Sequence, residues 1–159
     1  MRLTDILDPR CIKVPLTATD KRGAIEELVR AMAECSVVKD PQSLLQAVLD
    51  REAIRTTGIG HGLATPHGKS PAVGDLAMAI GKAEHPIDFQ SVDSKPVTLV
   101  ILLASPPDKA LPHIQALARI SRLMTIEPFR NALEKAANAQ EVYDIIARQE
   151  DSMTHPTPG

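Results

Sequence analysis

A chain of 159 residues, 43% of them hydrophobic and 24% charged, can bury one sizeable core and is short for two. A net charge of −2 with the signs interspersed excludes the basic footprint that nucleic-acid binding requires, and 2% aromatic content without tryptophan leaves few platforms for stacking bases or sugars. Cys11 and Cys35 stand outside any C-x-x-C pattern and read as free thiols of a reducing compartment. The opening MRLTDILDPR is charged at positions 2, 5, 8 and 10, and the longest apolar run, Leu99 to Ala104, falls far below membrane-spanning length. One cytoplasmic domain over residues 1–150 is expected, without membrane insertion and without nucleic acid as a partner. The polar, proline-rich tail 151–159 is expected to be disordered.

In chain order, a short opening segment is followed by Thr19 and Asp20, which offer an N-cap to Ile25, Leu28, Val29 and Met32 at helical spacing. Asp40 and Pro41 are a cap with proline at the first helical position, and Leu44, Leu45, Val48 and Leu49 mark one face of a helix ending near Arg51 and Glu52. The segment from Gly58 to Gly68, GIGHGLATPHG, holds four glycines and a proline and suits a kinked or bulged extended strand. Leu76, Met78 and Ile80 alternate as in a half-buried strand, and Val97 to Leu103 is a continuous apolar run of the kind a central strand shows. Beyond Pro106 and Pro107, Ile114, Leu117, Ile120 and Met124 return to helical spacing, with further helical stretches around Phe129 to Ala136 and Glu141 to Ala147. This alternation predicts an α/β domain, a mixed sheet covered by helices.

Of the five histidines, three adjoin positions where glycine or proline fixes the backbone: His61, His67 and His113. His67 sits in Pro66-His67-Gly68, where proline restricts the residue before it and glycine permits a sharp turn or a close approach. His113 follows Pro112 in what should be the first turn of a helix, beside free N–H groups and the positive end of the helix dipole. An imidazole is neutral or charged near pH 7, so its ring nitrogen can attack a phosphoryl group without a separate strong base. The adduct adds roughly −1.5 to −2 charges and needs donors on its oxygens. Arg51, Arg55 and Lys69 are the cations near His67 in sequence, and the arginine fork matches phosphate better than lysine does.

On the residues alone three alternatives stay open: a surface or core histidine, a zinc site, and a phosphoryl nucleophile. Spacing weighs against zinc, because His61 and His67 in one strand would lie roughly 20 Å apart unless a sharp turn joined them.

The string Arg51-Glu52, then Thr56 to Lys69 as TTGIGHGLATPHGK, resembles the signature of enzyme IIA components of the fructose, mannitol and nitrogen-regulatory type in the bacterial phosphotransferase system. The likeness continues through Ile87-Asp88-Phe89, Asp93, Pro96-Val97, the strand Leu99 to Leu103, Pro112-His113 and Leu117 to Ser121, and spans roughly residues 4 to 148. The opening Leu3 to Pro9 looks like the nitrogen-regulatory branch. The resemblance implies a mixed sheet of about five strands sandwiched by helices, as in phosphotransferase/anion-transporter-like domains. It implies that His67 is phosphorylated, that the family's arginine falls on Arg51 and its supporting histidine on His113, and that Gly68, Lys69, Thr57 and His61 are candidate phosphoryl- or partner-binding residues. It further implies an HPr-like donor, a regulatory target or a IIB component as acceptor, and no metal or other cofactor. Two residues depart from the family's pattern: His61 stands where asparagine is common and Thr65 where an aliphatic residue is common, so His61 is either a further ligand near the phosphoryl group or a surface substitution.

Overall fold

A computed structural model describes residues 1–154, and its architecture is an open sheet with helices on both faces. The strands are β1 (Leu7–Leu16), β2 (Gly58–Gly60), β3 (Leu63–Ala64), β4 (His67–Lys69), β5 (Ala77–Ile87) and β6 (Val97–Ser105). The helices are α1 (Lys21–Glu34), α2 (Pro41–Ile54), α3 (Ala110–Leu123), α4 (Glu127–Lys135) and α5 (Ala139–Thr154). The sheet runs β1-β5-β6-β3-β2, with β4 also paired to β6, so β3 and β4 lie one after the other along the same side of β6. Pairing is mixed: β5 is antiparallel to β6 and parallel to β1, while β3 and β4 run parallel to β6.

The continuous apolar run of the sixth strand serves two cores at once. Successive side chains point to opposite faces. Val100, Leu102 and Ala104 therefore pack with α1 and α2, through Ile25, Leu28, Met32, Leu44 and Val48. Leu99, Ile101 and Leu103 pack with the other layer, through Ile120, Leu123, Phe129, Leu133 and Ile146. A strand buried on both sides has no polar face to show, which is why its sequence does not alternate.

The caps on Asp20 and Asp40 are present, with their carboxylates accepting from Gly23 N at 2.7 Å and Ser43 N at 3.2 Å. Four expectations need correction. The opening segment is a ten-residue strand, β1, pairing on one side with β5; an edge strand tolerates Pro9, Pro15 and its charged residues, which mask it in the sequence. Helix α2 runs on to Ile54. Helix α3 turns His113, Ala116, Ile120 and Leu123 inward and leaves Ile114 exposed, one position away from the apolar stripe its sequence suggests. Finally, α5 extends through Thr154, so the expected tail begins as helix, and residues 155–159 lie outside the described residues.

Buried Glu150 of α5 fastens the start of the chain. Its carboxylate accepts from Leu3 N at 2.7 Å, Thr4 N at 3.1 Å and Arg119 Nε at 2.7 Å. Arg2 reaches Asp151 at 2.6 Å beside it.

The glycine-rich segment resolves into a hairpin and a second short strand. Gly60, His61 and Gly62 all adopt positive φ, at 105°, 56° and 72°, and reverse the chain between β2 and β3. Gly68 answers a different need. A Cβ there would lie 3.0 Å from both Val48 N and Val48 Cγ2, so α2 can approach β4 this closely only over a glycine. We expect Gly68→Ala to cost about 1–3 kcal/mol in a urea titration by prying α2 off β4.

Candidate functional site

Three elements converge around His67. Strand β4 starts with it, in register with Leu103, so its side chain lies on the sheet face covered by α3. Ser105, at the end of β6, shares that face and hydrogen-bonds His113 Nδ1 across 2.6 Å. Helix α3 delivers His113 from its first turns, and the two imidazoles stand edge to face with centroids 5.3 Å apart. Helix α2, drawn in over Gly68, ends its last turn at the same place and brings Arg51, whose charge acts on His67.

Hydrogen bonding distinguishes the two nitrogens of His67. Nδ1 lies 2.8 Å from the Thr65 carbonyl, which can only accept, so Nδ1 carries the hydrogen and Nε2 keeps the lone pair. Burial is the main cause that depresses the pKa of His67 below the ordinary 6.5, and the Arg51 and Lys69 charges add to it, against the Thr65 hydrogen bond and Glu52. His113 is pushed down to about 4, first by burial and then by the charges of His67 and Lys69. Both rings are neutral at pH 7.

The arrangement brings His67, His113, Arg51 and Lys69 together and gives other predicted residues different tasks. Thr57 is buried, and both its hydroxyl and its amide donate to the Glu52 carboxylate, at 2.7 Å and 3.0 Å. Its hydroxyl is thus engaged by Glu52 and holds the segment that leads to His67. Gly68 likewise acts through helix packing. His61 is set apart by the turn that might have joined it to His67. Gly62 O accepts from Thr98 N at the start of β6, whereas His67 is in register with Leu103, so the two lie about five strand residues, roughly 16 Å, apart. His61 instead lines a separate cleft of ≈ 470 Å³ with Lys82, Thr98, Arg130 and Glu134. Thr65 contributes its backbone: its amide donates to Thr57 O at 3.0 Å and its carbonyl accepts from His67.

Three residues to which the sequence reading gave no site role support the site. Ser105 orients His113. Glu52 holds Thr57, and Lys21 pairs with Glu52 at 3.0 Å while lying 5.4 Å from the Phe89 ring centroid. Glu52 carried a legible signal, because a carboxylate in the last turn of a helix opposes the helix dipole and calls for a compensating partner. Ser105, ending an apolar run, carried none.

Over residues 5–149 the sequence matches the family described as phosphoenolpyruvate-dependent sugar phosphotransferase system, EIIA 2. It is 35% identical over 147 residues to the nitrogen regulatory protein of Bradyrhizobium diazoefficiens, spanning 92% of this chain and 95% of that one. It is 33% identical over 146 residues to the fructose-specific EIIABC component of Bacillus subtilis, but covers 23% of that longer protein. Among solved structures, the nitrogen regulatory protein IIA-Ntr of Neisseria meningitidis superposes with a TM-score of 0.84 at 25% identity, over 91% of this chain and 98% of that one. The Escherichia coli complex of enzyme IIAMtl and phosphorylated IIBMtl shares the fold with a TM-score of 0.74 at 22% identity, over 87% of this chain and 95% of the matched one. The helix-covered mixed sheet is thus the fold of these IIA proteins. The chain belongs to the EIIA 2 family of the phosphoenolpyruvate-dependent phosphotransferase system. Among the described residues no helix is long and apolar enough to cross a membrane.

The depressed imidazole pKa values fix the sign of a pH dependence. An unfolded chain protonates both rings as the pH falls through 6.5, while the folded chain resists until about 4 for His113. Stability present above pH 6.5 is therefore lost progressively between 6.5 and 4. Urea midpoints measured across that window should fall with pH, and His113→Asn should flatten the decline.

Proposed function

We propose that the chain is a phosphohistidine carrier that accepts a phosphoryl group on His67 Nε2 from an HPr-like protein and serves phosphorylation-dependent regulation. The observation that carries this reading is the His67 hydrogen bond to Thr65 O, which fixes the hydrogen on Nδ1 and leaves Nε2 as a neutral nucleophile beside His113. In the transfer, the Nε2 lone pair forms the bond to phosphorus as the bond to the donor's imidazole nitrogen breaks, and the electron pair returns to that imidazole. The hydrogen stays on Nδ1, donated to Thr65 O, and that bond stabilises the charged ring of the adduct.

The equatorial oxygens meet His113 and Arg51. Ser105 Oγ lies 2.6 Å from His113 Nδ1, and in the tautomer where the hydroxyl donates, the His113 hydrogen sits on Nε2 and can donate to a phosphoryl oxygen. Arg51 has a carbonyl, Arg55 O at 3.0 Å, as hydrogen-bond partner rather than a carboxylate, so its charge is available to an anion. Docking of a protein donor is supported by exposed apolar residues around the rim, Leu111 and Ile114 beside His113 and Ile54 just past Arg51. The regulatory role rests on the full-length match to the nitrogen regulatory protein, and a role in sugar transport, with phosphate passed to a IIB protein, rests on the match to the fructose component.

Incubation with enzyme I, an HPr-like carrier and phosphoenolpyruvate should give one acid-labile, alkali-stable phosphorylation. His67→Ala should abolish it; undiminished labelling of that variant would rule the carrier out. His113→Asn, checked for folding by circular dichroism, should slow labelling by roughly a hundredfold, the cost of one transition-state donor. Presenting the labelled protein to fructose- and mannitol-type IIB proteins separates the two roles, because retained label favours regulation and loss to a IIB favours transport.

A further inference from the structure

Two thiols lie outside the phosphoryl site. Cys11 is buried on β1, and Cys35 follows the last residue of α1 and is partly open to solvent. They converge on one carbonyl: Ala31 O accepts from the Cys11 thiol at 3.9 Å and from the Cys35 amide at 3.2 Å. Both side chains also belong to one apolar cluster, Cys11 within it and Cys35 packed against it.

The turn after α1 holds Cys35 in this position. Val37 N donates to Met32 O at 3.1 Å and Ser36 N to Ala33 O at 3.0 Å, with Ser36 at φ 62°. That pair of bonds is the Schellman closure of a helix end. One sulfur thus stands on a sheet strand and the other on a capped helix terminus, and the shared Ala31 carbonyl brings the two residues within side-chain reach of one another. Arg10, next to Cys11 and paired with Asp8 at 2.7 Å, lies within electrostatic reach of both sulfurs.

We propose that Cys11 and Cys35 form a reversible dithiol–disulfide site for which a peroxide is the oxidant. Access sets the order of events. The Cys35 sulfur, as thiolate, attacks one peroxide oxygen and breaks the O–O bond, giving a sulfenic acid and, with the thiol's proton, one water. The Cys11 sulfur then attacks the sulfenic sulfur, and the displaced hydroxyl leaves with the Cys11 proton as a second water. Two thiols lose two electrons and the peroxide gains them. Burial first, and then the interaction with Cys35, hold the Cys11 thiol up at about 12, so Cys11 does not compete with Cys35 for the peroxide; its proton is lost more easily in the second step, once Cys35 is a neutral sulfenic acid.

The reduced full-length chain, treated with hydrogen peroxide, alkylated and mapped without reduction, provides the test. The expected product is a monomer lighter by two hydrogens, with the peptides containing residues 11 and 35 joined, loss of both alkylatable thiols, and return to the dithiol with dithiothreitol. Cys35→Ser should abolish the link. Mapping of the unsubstituted chain decides the matter whether or not Cys11→Ala folds. Oxygen added at Cys35 while Cys11 remains alkylatable after unfolding, a link between two chains through Cys35, or an unchanged mass would each overturn the proposal.

Discussion

The hydrogen bond from His67 Nδ1 to the Thr65 carbonyl is the constraint on which the rest of the site depends. It decides which nitrogen faces outward and holds the ring plane, and it is itself held from behind. Thr65 is anchored through its amide to Thr57 O, Thr57 through its hydroxyl and amide to Glu52, and Glu52 through its charge to Lys21 at the start of α1. One chain of contacts thus runs from the Lys21–Glu52 ion pair on α1 and α2, through the loop residues Thr57 and Thr65, to His67 at the start of β4. Chemistry that needs a single well-placed atom is built here by immobilising backbone rather than by adding reactive groups.

Electrostatics complements that geometry. Neutral imidazoles in a half-buried site remain nucleophilic at pH 7, and they leave the cationic character of the site to Arg51 and Lys69. Because Glu52 is taken up by Lys21 and Thr57, the carboxylate next to Arg51 in sequence does not neutralise it. The field at His67 therefore suits an anion without the imidazole having to become charged first.

Much of this was legible in the sequence, and the exceptions share a cause. The sheet with helices on both faces, the aspartate caps and the pairing of His67 with His113 follow from periodicity, glycine and proline framing, and family resemblance. What escaped depends on which neighbour a residue meets. Strand β1 hides because its prolines and charges are permitted by the edge it occupies. Ile114 looks like core because helical spacing fixes a stripe but not its rotation, and the Ser105 bond turns His113 inward instead. The sequence leaves His61 open between a place near His67 and a surface position, and the reversal at Gly60 to Gly62 carries it to the far end of the hairpin. Thr57 and Gly68 lie in the signature for what they hold in place.

The clamp of Glu150 and Asp151 on the opening residues has an architectural consequence. The first and last described turns of the chain meet in the layer of α3 and α5, where Glu150 satisfies the amides of Leu3 and Thr4. The candidate site around His67 is assembled instead from β4, the end of β6, the start of α3 and the end of α2. Entry and exit of the polypeptide are thereby gathered at one seam, so a unit of this design can be spliced to neighbouring modules at either end with the pull of the joint falling on the clamp and not on the imidazoles.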